Sequence, residues 1–255
     1  MTTYPNCKIN LGLHILGRRP DGYHDLATLF LPVHSLCDRL DIEPNKELAM
    51  TQEGLSLDNV PADNICLRAW QLLHEEFGIP AVHIRLHKGI PFGAGLGGGS
   101  SDAAFTLKML NTMFDIGLDQ VGLEHRASRL GADCAFFIAN QTAYATGIGD
   151  RLTPCNIDLS AYRIEVAIPE GEHVSTREAY ANLDHSLFGI PRIDLRQAAN
   201  HPVEEWKAII TNDFEASIFP FHPAIAHLKA AMYSRGAVYA SMSGSGAAVY
   251  GLFKD

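Results

Sequence analysis

Residues 91–104 read Pro91-Phe92-Gly93-Ala94-Gly95-Leu96-Gly97-Gly98-Gly99-Ser100-Ser101-Asp102-Ala103-Ala104, and no other stretch constrains the architecture as much. Five glycines fall between Gly93 and Gly99. Glycine takes positive φ without strain and lets a backbone approach a ligand closely. Just beyond, Ala103, Leu107, Leu110 and Phe114 recur at spacings of four, three and four, the period of an amphipathic helix. Just before, Val82, Ile84 and Leu86 alternate with His83, Arg85 and His87, the period of a strand. A strand, a glycine loop and a helix start together suit an anion. The first N–H groups of the helix lack carbonyl partners and carry the positive end of its dipole. One or two glycines would read as a tight turn; five point to phosphate. Ser100 and Ser101 add hydroxyls that can cap the helix, donate to phosphate oxygens or reach a magnesium ion.

Other glycine motifs fit less well. Gly93, Gly95 and Gly98 satisfy G-x-G-x-x-G, but a dinucleotide site needs an acidic strand end about 20 residues on. Asp119 and Glu124 have that spacing and fall in a loop and a helix start. A Walker loop needs Lys-Ser/Thr where this chain continues with Gly99. A protein kinase needs His-Arg-Asp and Asp-Phe-Gly downstream, and neither occurs.

Working outward, Ile9, Leu11, Leu13 and Ile15 alternate with Lys8, Asn10, Gly12 and His14. The pattern predicts a half-buried strand with Lys8 and Asn10 on one face. Arg19-Pro20-Asp21-Gly22 is a turn, and a second strand follows over residues 26–33. Asp63 or Asn64 caps a helix carrying Ile65, Ala69, Leu72, Leu73 and Phe77, stopped at Gly78. Lys88 ends the strand before the loop and reads either as solvated or as close to a bound nucleotide. A further helix over residues 119–130 stops at Gly131. Asp133 follows, and the apolar run Ala135-Phe136-Phe137-Ile138 is expected to be a strand. Beyond Gly149 the pattern is broken by Pro154, Asn156 and Pro169. A helix is expected over residues 223–234, and Val238-Tyr239-Ala240 and Ala248-Val249-Tyr250 flank Ser243-Gly244-Ser245-Gly246.

Composition narrows the function. The 255 residues are 47% hydrophobic and 19% charged, enough to bury a core without disulfide staples. Net charge is −9, and the largest basic cluster, Arg18-Arg19, is too small for a nucleic-acid footprint. Phosphate must therefore be held locally, by backbone N–H groups and a few placed lysines. The five cysteines are odd in number and widely spaced, which excludes CxxC chemistry and suits a reducing cytosol. No apolar run approaches a membrane span, and Met1-Thr2-Thr3-Tyr4-Pro5 lacks the order of a signal peptide. The expected location is cytoplasmic. Of the twelve histidines, His83 and His87 have the spacing of helical zinc ligands, but on a strand that spacing separates them by about 13 Å. No metal ligand is assigned, and oligomeric state is open.

The loop, Lys8-Ile9-Asn10-Leu11, Gly17-Arg18-Arg19-Pro20-Asp21-Gly22-Tyr23-His24 and Gly131-Ala132-Asp133 together resemble the GHMP small-molecule kinases. Members of that family phosphorylate galactose, homoserine, mevalonate and related alcohols. Echoes at Gly147-Ile148-Gly149-Asp150, Val174-Ser175-Thr176 and Met242-Ser243-Gly244-Ser245-Gly246 extend the resemblance over nearly the whole chain. It implies a two-lobed α+β fold, with an N-terminal ATP-binding lobe (1–152) and a smaller C-terminal α/β lobe (153–255). It implies ATP with Mg2+ as phosphoryl donor, held by Pro91, Phe92, Gly93, Ala94, Gly95, Leu96, Gly97, Gly98, Gly99, Ser100 and Ser101. Lys8 and Asp133 become the catalytic pair, the carboxylate accepting the hydroxyl proton and the ammonium offsetting charge. The Pro-Asp-Gly-Tyr-His block marks a branch whose acceptor is a cytidine diphosphate-linked methylerythritol, an isoprenoid precursor. In that branch Tyr23 stacks on cytosine, His24 hydrogen-bonds to it, Tyr180 supplies a second aromatic ring and Asn10 contacts the substrate. Another alcohol, such as homoserine or mevalonate, and a non-catalytic nucleotide sensor stay open. Cys7 and Cys134-Ala135 stand where the family usually has Ala and Val-Pro.

Overall fold

A computed structural model describes residues 1–55, 64–183, 186, 188–190 and 192–255. In chain order these form β1 (Thr2–Thr3), β2 (Asn6–Arg18), β3 (His24–Cys37), β4 (Arg39–Pro44), β5 (Ala49–Gly54), α1 (Ile65–Phe77), β6 (Val82–Lys88), α2 (Gly98–Met113), α3 (Gln120–Leu130) and α4 (Cys134–Ala139). There follow β7 (Ala143–Thr146), β8 (Arg151–Pro154), β9 (Tyr162–Ala167), α5 (Thr176–Ala181), α6 (Leu195–Ala198), α7 (Trp206–Ile209), α8 (Asp213–Ile218), α9 (Pro223–Ser234), β10 (Tyr239–Met242) and β11 (Val249–Lys254). The fold is α+β. Contacts group the chain into two compact units, each made of separate segments. The first holds Met1–Cys7, His34–Phe92 and Gly97–Gln141; the second holds Lys8–Val33, Gly93–Leu96 and Thr142–Asp255.

The first unit has a four-stranded sheet in the order β1-β4-β6-β5. β6 runs antiparallel to β4 and parallel to β5, with Ile84 opposite both Ile42 and Met50. The period-2 pattern is obeyed: Val82, Ile84 and Leu86 are buried while Arg85 and His87 are exposed. Lys88 falls in phase with the buried residues. Helices α1 to α4 pack on one another in this unit. Asn64 caps α1, its side-chain oxygen accepting from the Cys66 N–H at 2.9 Å, and left-handed Gly78 stops it. Asp63, the other cap candidate, lies outside the described residues. The expected strand at Ala135–Ile138 is instead helix α4, closed by left-handed Asn140. A short apolar run buried on every side has no period to separate strand from helix. Phe136, Phe137 and Ile138 are all buried where α4 packs on α2 and α3.

The second unit has two sheets, β2-β3-β7-β8 and β10-β11-β9. The expected strand pair around Ser243–Gly246 is the antiparallel pair β10–β11, with Met242 opposite Val249. β2 is not half-buried as its alternation suggested: Lys8 through Ile15 are buried on both faces. Packing is close enough at Gly12 (φ +66°) that a Cβ there would stand 2.6 Å from Leu195 Cδ2. The core gathers Leu13, Ile15, Leu26, Phe214, Ile218, Ile225, Met242 and Phe253 from β2, β3, α8, α9 and the β10–β11 pair.

Candidate active site

The glycine loop has the geometry its composition asks for. Gly93, Gly95 and Gly97 all take positive φ, at 67°, 76° and 70°. A Cβ on Gly95 would lie 2.2 Å from the Ser243 carbonyl oxygen, so the backbone approach there admits glycine alone. Helix α2 then starts at Gly98 with Gly97 at its cap and no side-chain capping bond. Ser100 and Ser101, expected as possible caps, sit inside the first turn. The first bond of the helix runs from the Ser101 N–H to the Gly97 carbonyl at 2.9 Å. Helical geometry leaves the N–H groups of Gly98, Gly99 and Ser100 without an intrahelical acceptor. The Ser101 hydroxyl is buried with no hydrogen-bond partner. Unsatisfied donors, a dipole end and glycines are a set that fits a polyphosphate.

In the second unit, Lys8 and Asn10 share one face of β2, as read from the sequence. The Lys8 ammonium donates to Asn10 Oδ1 at 2.6 Å and to the Gly95 carbonyl at 3.1 Å, and lies 4.9 Å from the Phe30 ring centre. Asn10 Nδ2 donates to Thr28 Oγ1 at 3.0 Å. The Asn10 backbone is held from the other side: its N–H donates to Ser243 Oγ at 3.2 Å, and Tyr250 donates to its carbonyl at 2.9 Å. Ser243 Oγ also donates to Gly95 O at 2.9 Å. One serine thus ties the strand carrying Lys8 to the glycine loop. Asn10 is 3% exposed, so its amide positions Lys8 in addition to any contact with a substrate.

Asp133, in the first unit, is half-buried at the cap position of α4, and its carboxylate makes no capping bond to that helix. Behind it, burial pushes the Cys134 thiol up to about 11 and keeps it unreactive at neutral pH.

Of the predicted base-binding residues, the structure joins two. His24 stacks on Tyr180 with ring centres 4.6 Å apart and 21° between planes. Phe188 meets His24 edge-on at 6.0 Å, and Phe214 backs Tyr180 at 4.9 Å. Tyr23 is 61% exposed. Its N–H donates to Asp21 Oδ1 at 3.1 Å, within the turn that precedes β3. Helix α5, which carries Tyr180, is clasped by His222. That ring bonds Glu172 at 2.6 Å through Nδ1 and Glu178 at 2.9 Å through Nε2. Both nitrogens must donate, and the bonds to Glu178 and Glu172 hold the imidazole above its ordinary pKa.

Lys88 is not solvated. It is 6% exposed and forms ion pairs with Asp38 and with Asp102, the latter at 2.7 Å. Asp38 Oδ1 also accepts from the N–H groups of Gly89 (2.6 Å) and Ile90 (2.7 Å). Asp38 therefore carries the well-supported negative charge. Asp102 Oδ1 is buried without a partner, and burial raises that carboxyl well above the usual range. Burial pulls the Lys88 pKa down, but the two carboxylates outweigh it and the net shift is upward. Sequence reasoning missed Thr28, Phe188, Asp38 and Asp102. Only the in-phase position of Lys88 on β6 signalled the triad.

The family model described as GHMP kinases N terminal domain matches residues 64–143, and that described as GHMP kinases C terminal matches 195–255. A relative from Bacteroides thetaiotaomicron, called 4-diphosphocytidyl-2-C-methyl-D-erythritol kinase, is 50% identical, covering 100% of this chain and 92% of its own. One of the same description from Azobacteroides pseudotrichonymphae is 46% identical over 100% and 94%. A crystal structure of 4-(cytidine 5'-diphospho)-2C-methyl-D-erythritol kinase superposes with a TM-score of 0.84 at 34% identity, covering 99% and 90%. A mevalonate kinase crystal structure superposes at 0.74 with 13% identity, a likeness of fold alone.

Proposed function

The chain belongs to the 4-diphosphocytidyl-2-C-methyl-D-erythritol kinases of the GHMP kinase superfamily, and on that premise we propose how its residues divide the work of moving the γ-phosphoryl group of ATP to the 2-hydroxyl of that substrate. The full-length likeness to kinases of this description carries the reading. In the reaction the hydroxyl oxygen bonds to the γ-phosphorus, the bond to the β–γ bridging oxygen breaks, ADP leaves, and the hydroxyl proton passes to a base.

The transition state is loose, so the protein mainly positions reactants and neutralises charge. The loop from Pro91 to Ser101 is the nucleotide site, supported by three left-handed glycines and the uncapped start of α2. Lys8 offsets charge on the transferring group, supported by a burial that strengthens its field and by the Asn10 amide and Gly95 carbonyl that orient its ammonium. Asp133 is the base, supported by its half-buried position at the head of α4. Tyr23, His24 and Tyr180 hold the cytosine, supported by the aromatic group around His24. Magnesium, when bound with ATP, neutralises phosphate charge. The Ser100 and Ser101 hydroxyls, in the first turn of α2, are the groups of this chain proposed to hold it. Lobes at 1–152 and 153–255 are supported by family-model matches falling on either side of the cut. A cytoplasmic setting is supported by five free cysteines.

The test is product identification. With Mg-ATP and 4-diphosphocytidyl-2-C-methyl-D-erythritol, NMR should find one new phosphomonoester, coupled to carbon 2. Phosphate on a different hydroxyl, or none transferred, overturns the reading.

A further inference from the structure

We propose that the Thr28 hydroxyl is a positioning group for phosphoryl transfer: it fixes which way the Asn10 amide faces and so where the Lys8 ammonium is held. The inference rests on the reading of Lys8 as the charge-neutralising group.

Thr28 is fully buried on β3, in register with Ala145 of β7. Its hydroxyl has one hydrogen to give, and that hydrogen goes to the Gly12 carbonyl at 2.5 Å. Toward Asn10 the same oxygen can only accept. A primary amide has a donor end and an acceptor end. Thr28 therefore requires the NH2 end of Asn10, observed at 3.0 Å, and the carbonyl end is left to face Lys8, observed at 2.6 Å.

The flipped amide fails twice. Its NH2 would face an ammonium that has only donors. Its oxygen would face Thr28, whose hydrogen could satisfy it only by abandoning Gly12 O. Water does not reach Thr28 to repair either loss, and a buried unpaired group is unfavourable. The Asn10 backbone is already fixed by Ser243 and Tyr250. The amide flip is thus the main freedom left, and one hydroxyl removes it.

Thr28→Val keeps the shape and deletes the hydroxyl. It should lower kcat on the order of tenfold, the scale of a lost outer hydrogen-bond partner, while the Kd for ATP stays within about twofold. Thr28→Ser should restore kcat. In a Lys8→Ala background, Thr28→Val should lower kcat no further, because residues acting as a unit are not additive. A readout independent of turnover, and of whether Thr28→Val folds, is the Asn10 side-chain NH2 signal in wild type. It should be resolved and slow to exchange. An unaltered kcat in Thr28→Val, a full additional loss in the Lys8→Ala background, or fast exchange of the Asn10 amide overturns the proposal. A Lys8→Ala enzyme as fast as wild type instead removes the premise about Lys8, a result the other three do not give.

Discussion

Lys8 and Lys88 are both buried in strands, at 4% and 6% exposure, and the groups that orient them differ. Lys88 is clasped by two carboxylates, one of them further bonded to two backbone N–H groups. Its charge is consumed where it stands, and it staples β6 to the turn before β4 and to the first turns of α2. Lys8 donates to an amide oxygen and a peptide carbonyl, Asn10 Oδ1 and Gly95 O, and lies against the Phe30 ring. Two lysines of like burial therefore differ in what is seen to hold them, and the proposed roles, Lys88 structural and Lys8 chemical, are separated by the variants below.

The largest expected effect comes from Lys88. Lys88→Met leaves Asp38 and Asp102 buried without their cation. Breaking such a pair costs about 3–5 kcal/mol, to be read as a large drop in the denaturation midpoint. A Lys88→Met protein as stable as wild type would break the comparison on its structural side. Lys8→Ala should do the reverse, leaving the midpoint nearly in place and lowering kcat by about a hundredfold or more. Asp133→Asn should match it, with ATP affinity retained. Equal losses of stability in Lys8→Ala and Lys88→Met would erase the distinction.

Two neighbouring glycines sharpen it further. A Cβ on Gly98 would sit 2.9 Å from Ile90 Cγ2, inside the buried face that Lys88 also supports, whereas one on Gly99 meets nothing within 4 Å. Gly98→Val should destabilise by about 1–3 kcal/mol through overpacking. Gly99→Val should keep most of the stability and raise the Kd for ATP about tenfold, equivalent to about 1.4 kcal/mol. Calorimetry and nucleotide titration of the two variants separate packing from phosphate approach.

The smallest effect is pH-dependent. His222 has a raised pKa in the fold, so its contribution is complete below the ordinary histidine value and fades as pH rises through the raised one. Glu178 is held low by its bond to His222, so its share is lost only when pH falls through that lowered value. The midpoint difference between wild type and His222→Gln should be largest in the mildly acidic range and shrink above neutrality. A difference that grows with pH would contradict the clasp on α5.

The sequence made the local periods legible and left the long-range partners unread. The helix at 223–234, the strand at Val82–His87 and the pairing of Lys8 with Asn10 all follow from spacings within one element, and each is present. The apolar run at Ala135–Ile138 was misread because burial on every side erases the period. Thr28 lies within the apolar stretch of β3 and carries no mark of its bonds to Asn10 and Gly12, 18 and 16 residues away. Asp38 reaches Lys88 across 50 residues, a distance that no local pattern spans. Phe188 joins His24 only because β3 and the segment after α5 come together in the fold.

The most direct measurement is ADP release, coupled to a spectrophotometric readout, with Mg-ATP and three alcohols in turn. Turnover of 4-diphosphocytidyl-2-C-methyl-D-erythritol is predicted, with kcat/KM at least about a hundredfold above homoserine and mevalonate, since a site built to hydrogen-bond a base rejects acceptors that lack one. No ADP release with the cytidine substrate, alongside turnover of either of the others, would contradict the account.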